Sequence, residues 1–173
     1  MTRDIVSLES DRLIQRPLTA ADAPEIFREF TPEITALMVP APPETLAAAE
    51  AFVARAAERA RRGLGFQLAV LRKEDGAFLG CSAAEGLSGR TPEIGIWIKK
   101  SAFGHGYGRE AVGALIGRLR ALAGYDYIIY PVDARNTPSR RIAEYYGGRI
   151  ARSFRQINQS GRALNLLEYR IYP

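Results

Sequence analysis

The stretch EIGIWIKKSAFGHGYGREAVGALIGRLRALAG, Glu93 to Gly124, constrains the fold more than any other part of the chain. An apolar run with strand character leads into Gly104, Gly106 and Gly108, and then into an amphipathic helix pattern. Glycine weakens regular structure, so this spacing implies that the backbone itself has a function in the loop. Without Cβ atoms a ligand can approach the main chain closely. The first N–H groups of the following helix lack intrahelical partners, and the helix dipole adds positive charge there. Strand, glycine loop and helix start, in that order, make a cradle for phosphate oxygens. The G-x-x-x-x-G-K-[ST] loop of nucleoside triphosphatases is absent. The dinucleotide spacing G-x-G-x-x-G is absent too, because Arg109 stands three residues after Gly106. Taken alone, the loop also fits glycines that only ease a tight turn.

The flanking sequence alternates helix and strand signals. A strand is expected at about 11–16 and a helix at about 20–30, with Thr19 as cap and Asp22 in the first turn. APPETLAAAEAFVARAAERARRG gives a second helix, with Leu46, Ala49, Val53, Ala56 and Ala60 on one face and Gly63 as stop. Strand patterns at 65–72 and 77–85 flank KEDG, a hairpin signal. After the glycine loop and its helix come a buried strand, YIIYPV, and a short helix, NTPSRRIAEYYGG, with Asn136 as cap and Gly147 as stop. Two last strands, near 149–157 and 163–172, flank NQSG. The order βααβββαβαββ predicts a mixed sheet with helices upon it, in one domain spanning 1–173.

Composition narrows the function classes. No uncharged apolar run is long enough to span a membrane, and MTRDIVSLESDRL has no apolar leader core. Cys81 is the only cysteine and His105 the only histidine, so neither a disulfide framework nor a His/Cys zinc site is expected. A cytoplasmic protein is the expectation. The net charge of +5 leaves nucleic acid open, but the arginines of ARAAERARR are spread by helical spacing and interrupted by Glu58. No motif with interleaved aromatics supports RNA binding, so nucleic acid ranks last.

Three segments in order resemble the GNAT superfamily of acetyl-CoA-dependent N-acetyltransferases. LIQRPLTAADAPEIF looks like its first strand and helix, EIGIWIKKSAFGHGYGREAVGAL its acyl-CoA motif, and NTPSRRIAEYYGG its asparagine-led helix. The branch with wGxGyatEA-type loops and N-x-x-S helices, which includes ribosomal-protein N-terminal acetyltransferases, is the most similar. The resemblance implies an α+β fold with a mostly antiparallel sheet, splayed where the cofactor enters. It implies that the loop from Phe103 and Gly104 onward, with the amides of His105, Gly106, Tyr107, Gly108 and Arg109, holds the pyrophosphate of coenzyme A. It also implies that the strand edge at Ile96, Trp97 and Ile98 pairs with pantetheine, and that Asn136 meets the pantetheine arm from the other side. No metal is implied, and a homodimer is compatible with the branch.

Transfer to an amine needs a base, because only the neutral amine attacks a thioester. Glu93 opens the strand that runs into the loop, and the resemblance matches it to a glutamate used by some members. Glu85 ends the preceding strand and is the second candidate. Either one also reads as a solvent-facing strand end. A main-chain N–H near Trp97 can stabilise the developing oxyanion. For the acid the resemblance matches Ser139 of N-x-x-S, although a first-turn serine is equally a cap. Many members carry a tyrosine seven residues after the asparagine, where this chain has Ala143. Phe103 stands in place of the R/Q that begins the loop motif, and Gly148 in place of a phenylalanine. Gly113 and Gly117 read as packing contacts between the loop's helix and the sheet.

Acetyl transfer to a primary amine, on a peptide N-terminus or a small molecule, is the leading reading. An acyl-CoA-binding sensor or partner-binding domain without turnover is the alternative, left open by Ala143.

Overall fold

The computed structural model describes residues 7–173. The N-terminal stretch read as lacking a leader therefore lies partly outside the described residues. One eight-stranded sheet organises the chain, in the order β1-β2-β3-β4-β5-β6-β8-β7. The strands are β1 (Leu8–Glu9), β2 (Leu13–Pro17), β3 (Gly65–Arg72), β4 (Phe78–Glu85), β5 (Glu93–Ile98), β6 (Ile128–Asp133), β7 (Arg149–Ile157) and β8 (Ala163–Ile171). The helices are α1 (Ala23–Glu29), α2 (Leu46–Arg61), α3 (Tyr107–Leu122) and α4 (Thr137–Tyr145). Every pairing is antiparallel except β5 with β6. The expected element order holds, with one addition. The two-residue β1 pairs with β2 through Leu8–Gln15 and Glu9–Ile14, too short for its own sequence signal.

The helix ends follow local chemistry. The Asp22 carboxylate accepts the Thr19 N–H at 2.7 Å and the Thr19 hydroxyl at 3.1 Å, which fixes the entry to a single 3₁₀ turn and then α1. Thr45 Oγ1 accepts the Ala48 N–H at 3.1 Å at the head of α2. Ala49, Val53 and Ala56 face the core as expected, whereas Leu46 is exposed on the first turn.

Core clusters lie on both faces of the sheet. Phe66, Leu68, Ala84 and Ile94 pack against Val112, Leu115, Ile116 and Leu119 of α3. On the other face Ala69, Phe78 and Cys81 pack against α1 and α2, joined by Trp97, whose ring lies 4.7 Å from that of Phe30. Buried Gln15 ties three elements together. It accepts from Ser82 Oγ at 2.6 Å and donates to the Ala111 carbonyl of α3 at 3.1 Å.

Register shifts where β3 passes Gly80, because Val70 pairs with Gly80 and Leu71 with Phe78. Gly80 has φ +156°, and a Cβ there would sit 2.0 Å from the Trp97 carbonyl oxygen. That neighbour is main chain and cannot swing away. Gly80→Ala is therefore expected to cost about 2 kcal/mol, read as a lower denaturation midpoint at unchanged m-value.

Gly113 and Gly117 do not serve the sheet. A Cβ at Gly113 would lie 2.3 Å from the Tyr146 hydroxyl oxygen of the segment after α4, and Gly117 has nothing within 4 Å. Gly148 is likewise a contact position, since its Cβ would lie 2.7 Å from the Ala143 carbonyl oxygen, where a phenylalanine would not fit.

Candidate active site

The site begins where β5 and β6 part. They are parallel neighbours with a single register pair, Glu93 with Ile129, held by Ile129 N–H donating to the Pro92 carbonyl at 2.8 Å. Beyond that point the strands diverge into a V. β5 keeps its ladder to β4 throughout, with Cys81 opposite Trp97 and Gly80 opposite Ile98. Lys99 N–H donates to the Leu79 carbonyl at 2.7 Å, and antiparallel pairs alternate. By that alternation Trp97 also spends its N–H and C=O on β4, while Ile96 and Ile98 turn theirs into the V. The expected strand edge is thus Ile96 and Ile98, and Trp97 contributes only its ring to the core under α1.

The V opens toward the glycine loop. Phe103 and His105 are exposed, and the His105 ring rests on Tyr107 at a centroid distance of 5.5 Å. Gly106 is the residue before α3 and has φ +78°, a left-handed conformation that glycine adopts freely. This turn starts α3 at Tyr107, two residues earlier than the sequence pattern suggests. The N–H groups of His105, Gly106, Tyr107, Gly108 and Arg109 find no acceptor among the described residues. Gly104 has no heavy atom within 4 Å of a would-be Cβ, and Gly108 sits against Ile98 and Ile142.

Residues that sequence reasoning missed brace the cradle. The Glu110 carboxylate accepts from Ser10 Oγ, the Arg12 N–H and Arg12 Nε, each at 2.7 Å. Arg12 also donates to the His105 carbonyl at 3.0 Å and lies over the Tyr107 ring at 4.8 Å. These contacts cross about a hundred residues of chain, so no local pattern announces them.

On the other arm, Asp133 fixes the turn from β6 into α4. Its carboxylate accepts the Arg135 N–H and Nε and the Asn165 N–H at 2.8–2.9 Å. Its carbonyl accepts the Asn136 N–H at 2.8 Å. Asn136 caps α4, with Oδ1 accepting the Ser139 N–H at 3.3 Å, and its amide N–H groups are unspent among the described residues. Ser139 Oγ lies 2.8 Å from the Tyr130 hydroxyl of β6. Ala143, seven residues after Asn136, is fully buried, and Tyr146 donates to the Arg109 carbonyl at 2.8 Å. Tyr145 is exposed under the Arg109 guanidinium.

The carboxylates lie on the opposite face. Glu85 pairs directly with Glu93 across β4 and β5. Arg59 of α2 clamps Glu85 from one side, and Gln67 Nε2 donates to it at 3.3 Å. Glu93 accepts no hydrogen bond from a described side chain. Its side chain is exposed at the head of β5, beside the single pairing with β6. Desolvation there raises its pKa above the usual carboxylate value, and the charges of Glu168 and Glu85 raise it further. Glu168 itself is buried. Desolvation would raise its pKa, but Arg152 at 2.6 Å and Arg170 at 3.0 Å hold it below the ordinary value.

The two glutamates thus part in environment, one clamped by Arg59 and one with its pKa raised and no side-chain donor. Glu85→Gln is expected to leave kcat within about twofold and to cost under about 1 kcal/mol, as befits a partly exposed ion pair. It also removes a negative neighbour of Glu93 and frees Arg59. The acid limb of the pH–rate profile is therefore expected to move to lower pH, a shift read from kcat/KM against pH.

A strap closes the wide end of the V. The chain leaving α1 reaches the β7–β8 turn, where Gln159 N–H donates to the Val39 carbonyl at 2.9 Å and Asn158 Nδ2 to the Met38 carbonyl at 3.0 Å. Residues 31–43 thereby bridge the arms on the face that carries Glu93.

Cys81 is buried, and desolvation pushes its thiol well above the ordinary range, so it has no nucleophilic character here. Among the described residues no helix is long and apolar enough to cross a membrane.

Solved structures with this architecture cover nearly the whole chain. RimL, a ribosomal L7/L12 alpha-N-protein acetyltransferase in complex with coenzyme A, superposes with a TM-score of 0.86 at 13% identity, over 96% of this chain and 98% of that one. MccE, a microcin C7 self-immunity acetyltransferase in complex with acetyl-CoA and AMP, gives 0.83 at 14% identity, over 95% and 94%. A GNAT-family acetyltransferase from Bacillus anthracis gives 0.81 at 21% identity, over 96% and 98%. No curated protein sequence matches the chain. The model of the acetyltransferase (GNAT) domain matches residues 12–149, which takes in β2, the V, the glycine loop and α4. With that match over most of its length, the chain belongs to the GNAT acetyltransferase family.

Proposed function

We propose that the protein moves the acetyl group of acetyl-CoA to a primary amine by direct attack, with Glu93 as base and Ser139 as acid. The observation that carries this reading is the run of unspent N–H groups from His105 to Arg109, at the head of α3 and at the mouth of the β5–β6 V. A diphosphate suits those donors and that dipole. An extended amide-bearing arm suits the free backbone edge at Ile96 and Ile98.

When bound, acetyl-CoA supplies the thioester to be attacked. The loop from Phe103 to Arg109 holds its pyrophosphate through main-chain N–H groups. Ile96 and Ile98 pair with the pantetheine amides as a neighbouring strand would, and the Asn136 side-chain amide donates from the opposite arm. Glu93 takes the proton of the incoming ammonium, directly or through water, and its raised pKa suits it to that task. The N–H groups turned into the V beside Trp97 stabilise negative charge on the carbonyl oxygen. Ser139 donates to the departing sulfur. Holding amine and thioester together at the pinch supplies much of the acceleration.

The acceptor enters under the strap of residues 31–43, on the face that carries Glu93. Proteins of this fold include one acting on a ribosomal protein and one conferring microcin immunity. A peptide N-terminus and a small-molecule amine are both acceptors to try. The test is amine-dependent thiol release from acetyl-CoA, with peptides of free N-terminus and small primary amines as acceptors. Release that needs an amine supports transfer. Saturable acetyl-CoA binding without release for any amine supports the sensor instead.

A further inference from the structure

We propose that Tyr130 is a positioning residue that sets the direction of the Ser139 hydroxyl proton, aiming it into the V where the sulfur of coenzyme A departs. This inference rests on the reading of Ser139 as the acid and concerns a residue outside every motif of the sequence.

Tyr130 is 2% exposed, and its hydroxyl has one partner among the described residues, Ser139 Oγ at 2.8 Å. Ser139 Oγ has no other partner either. The pair can share its hydrogen in two ways. If the serine donates, the buried tyrosine O–H is left without an acceptor, which costs about 1–3 kcal/mol. If the tyrosine donates, only the serine O–H is left over, and Ser139 is half-buried at the rim of the V, where solvent or a ligand can accept. The second arrangement wins by about fivefold to a hundredfold on that difference.

The rest of α4 shows where the leftover proton points. Ser139, Ile142, Ala143 and Tyr146 share one helical face. Ile142 meets Gly108, and Tyr146 bonds the Arg109 carbonyl, so that face looks across the V at the head of α3. The Asn136 cap holds the Ser139 main chain in place, which leaves the hydroxyl rotor as the free coordinate. Tyr130 fixes that rotor.

Tyr130 is not itself the proton source. Desolvation pushes its pKa up to about 12, above an ordinary thiol, so it stays a donor at every working pH. Its hydrogen bond also polarises the serine O–H, making Ser139 a better donor to a thiolate.

The experiment titrates the thiol of bound coenzyme A by the ultraviolet absorbance of its thiolate, which needs no acceptor and no turnover. In the wild-type protein a donor aimed at the sulfur lowers the thiol pKa relative to free coenzyme A. Ser139→Ala is expected to remove that shift. Tyr130→Phe keeps the ring and its packing, and is expected to remove about half a unit or more of the shift with coenzyme A affinity within about twofold. The double variant is expected to match Ser139→Ala, because Tyr130 acts only through Ser139. A Tyr130→Phe protein with the wild-type thiol pKa overturns the proposal. So does one that loses affinity while keeping the shift, since that is a packing role. A shift that survives Ser139→Ala removes Ser139 as the acid, and a folded protein that binds no coenzyme A removes the function reading itself.

Discussion

Glu93→Gln is expected to lower kcat by about 10²–10³-fold while leaving acetyl-CoA affinity within about twofold. Glutamine keeps the size of the side chain and loses the ability to take a proton. The accompanying pH profile has a definite sign. As the proposed base, Glu93 acts in its ionised form, so kcat/KM is expected to fall as pH drops through its pKa. That pKa lies above the ordinary 4.5 because of desolvation and the charges of Glu168 and Glu85, so the fall comes at higher pH than for a free carboxylate. The same shift has a consequence for stability. A carboxyl group whose pKa is raised by folding favours the folded state below its unfolded pKa, and that contribution is lost as pH rises through the folded value. At neutral pH the ionised Glu93 is therefore a burden, and Glu93→Gln is expected to melt above the wild type. Loss of turnover with a gain in Tm separates a chemical role from damage to the fold.

Gly106→Glu is expected to weaken acetyl-CoA binding by at least about 100-fold. Its carboxylate would stand at the head of α3, among the N–H groups proposed to hold phosphate oxygens, and repel those oxygens. Glutamate also strains at φ +78°, which glycine accepts without cost. Gly106→Asn separates the two effects, because asparagine tolerates the left-handed conformation and carries no charge. The asparagine protein is expected to retain most of the affinity, measured by the same titration. Equal losses in both would mean that the loop needs only its shape, and that no anion sits in it.

Much of this architecture is legible in the chain because its signals are local. The glycine loop and the amphipathic run after it specify α3 within one stretch. Thr19 with Asp22, Thr45 and Asn136 announce helix starts, and KEDG announces a hairpin. The single-pair contact of β5 with β6 has no such signal, because it joins Glu93 to Ile129 across the whole of α3 and rests on no local turn. The environments of Glu85 and Glu93 were equally illegible. The two share a residue type and a register, and they part only because Arg59 of α2 arrives at one of them. Tyr130 reads as one more apolar-strand residue in YIIYPV. Only the turn fixed by Asp133 brings Ser139 over its hydroxyl. The Glu110–Arg12 brace joins positions 98 residues apart and could be found only in three dimensions.

A calorimetric titration of the purified protein with acetyl-CoA tests the phosphate cradle, with 3′-dephospho-CoA and ATP titrated alongside. The expected result is a micromolar Kd for acetyl-CoA, little change for the dephospho form, much weaker binding of ATP, and loss of binding in Gly106→Glu. A folded protein that takes up no acetyl-CoA, or that binds it equally well with Gly106→Glu, would contradict the assignment of the unspent N–H groups from His105 to Arg109 to a pyrophosphate.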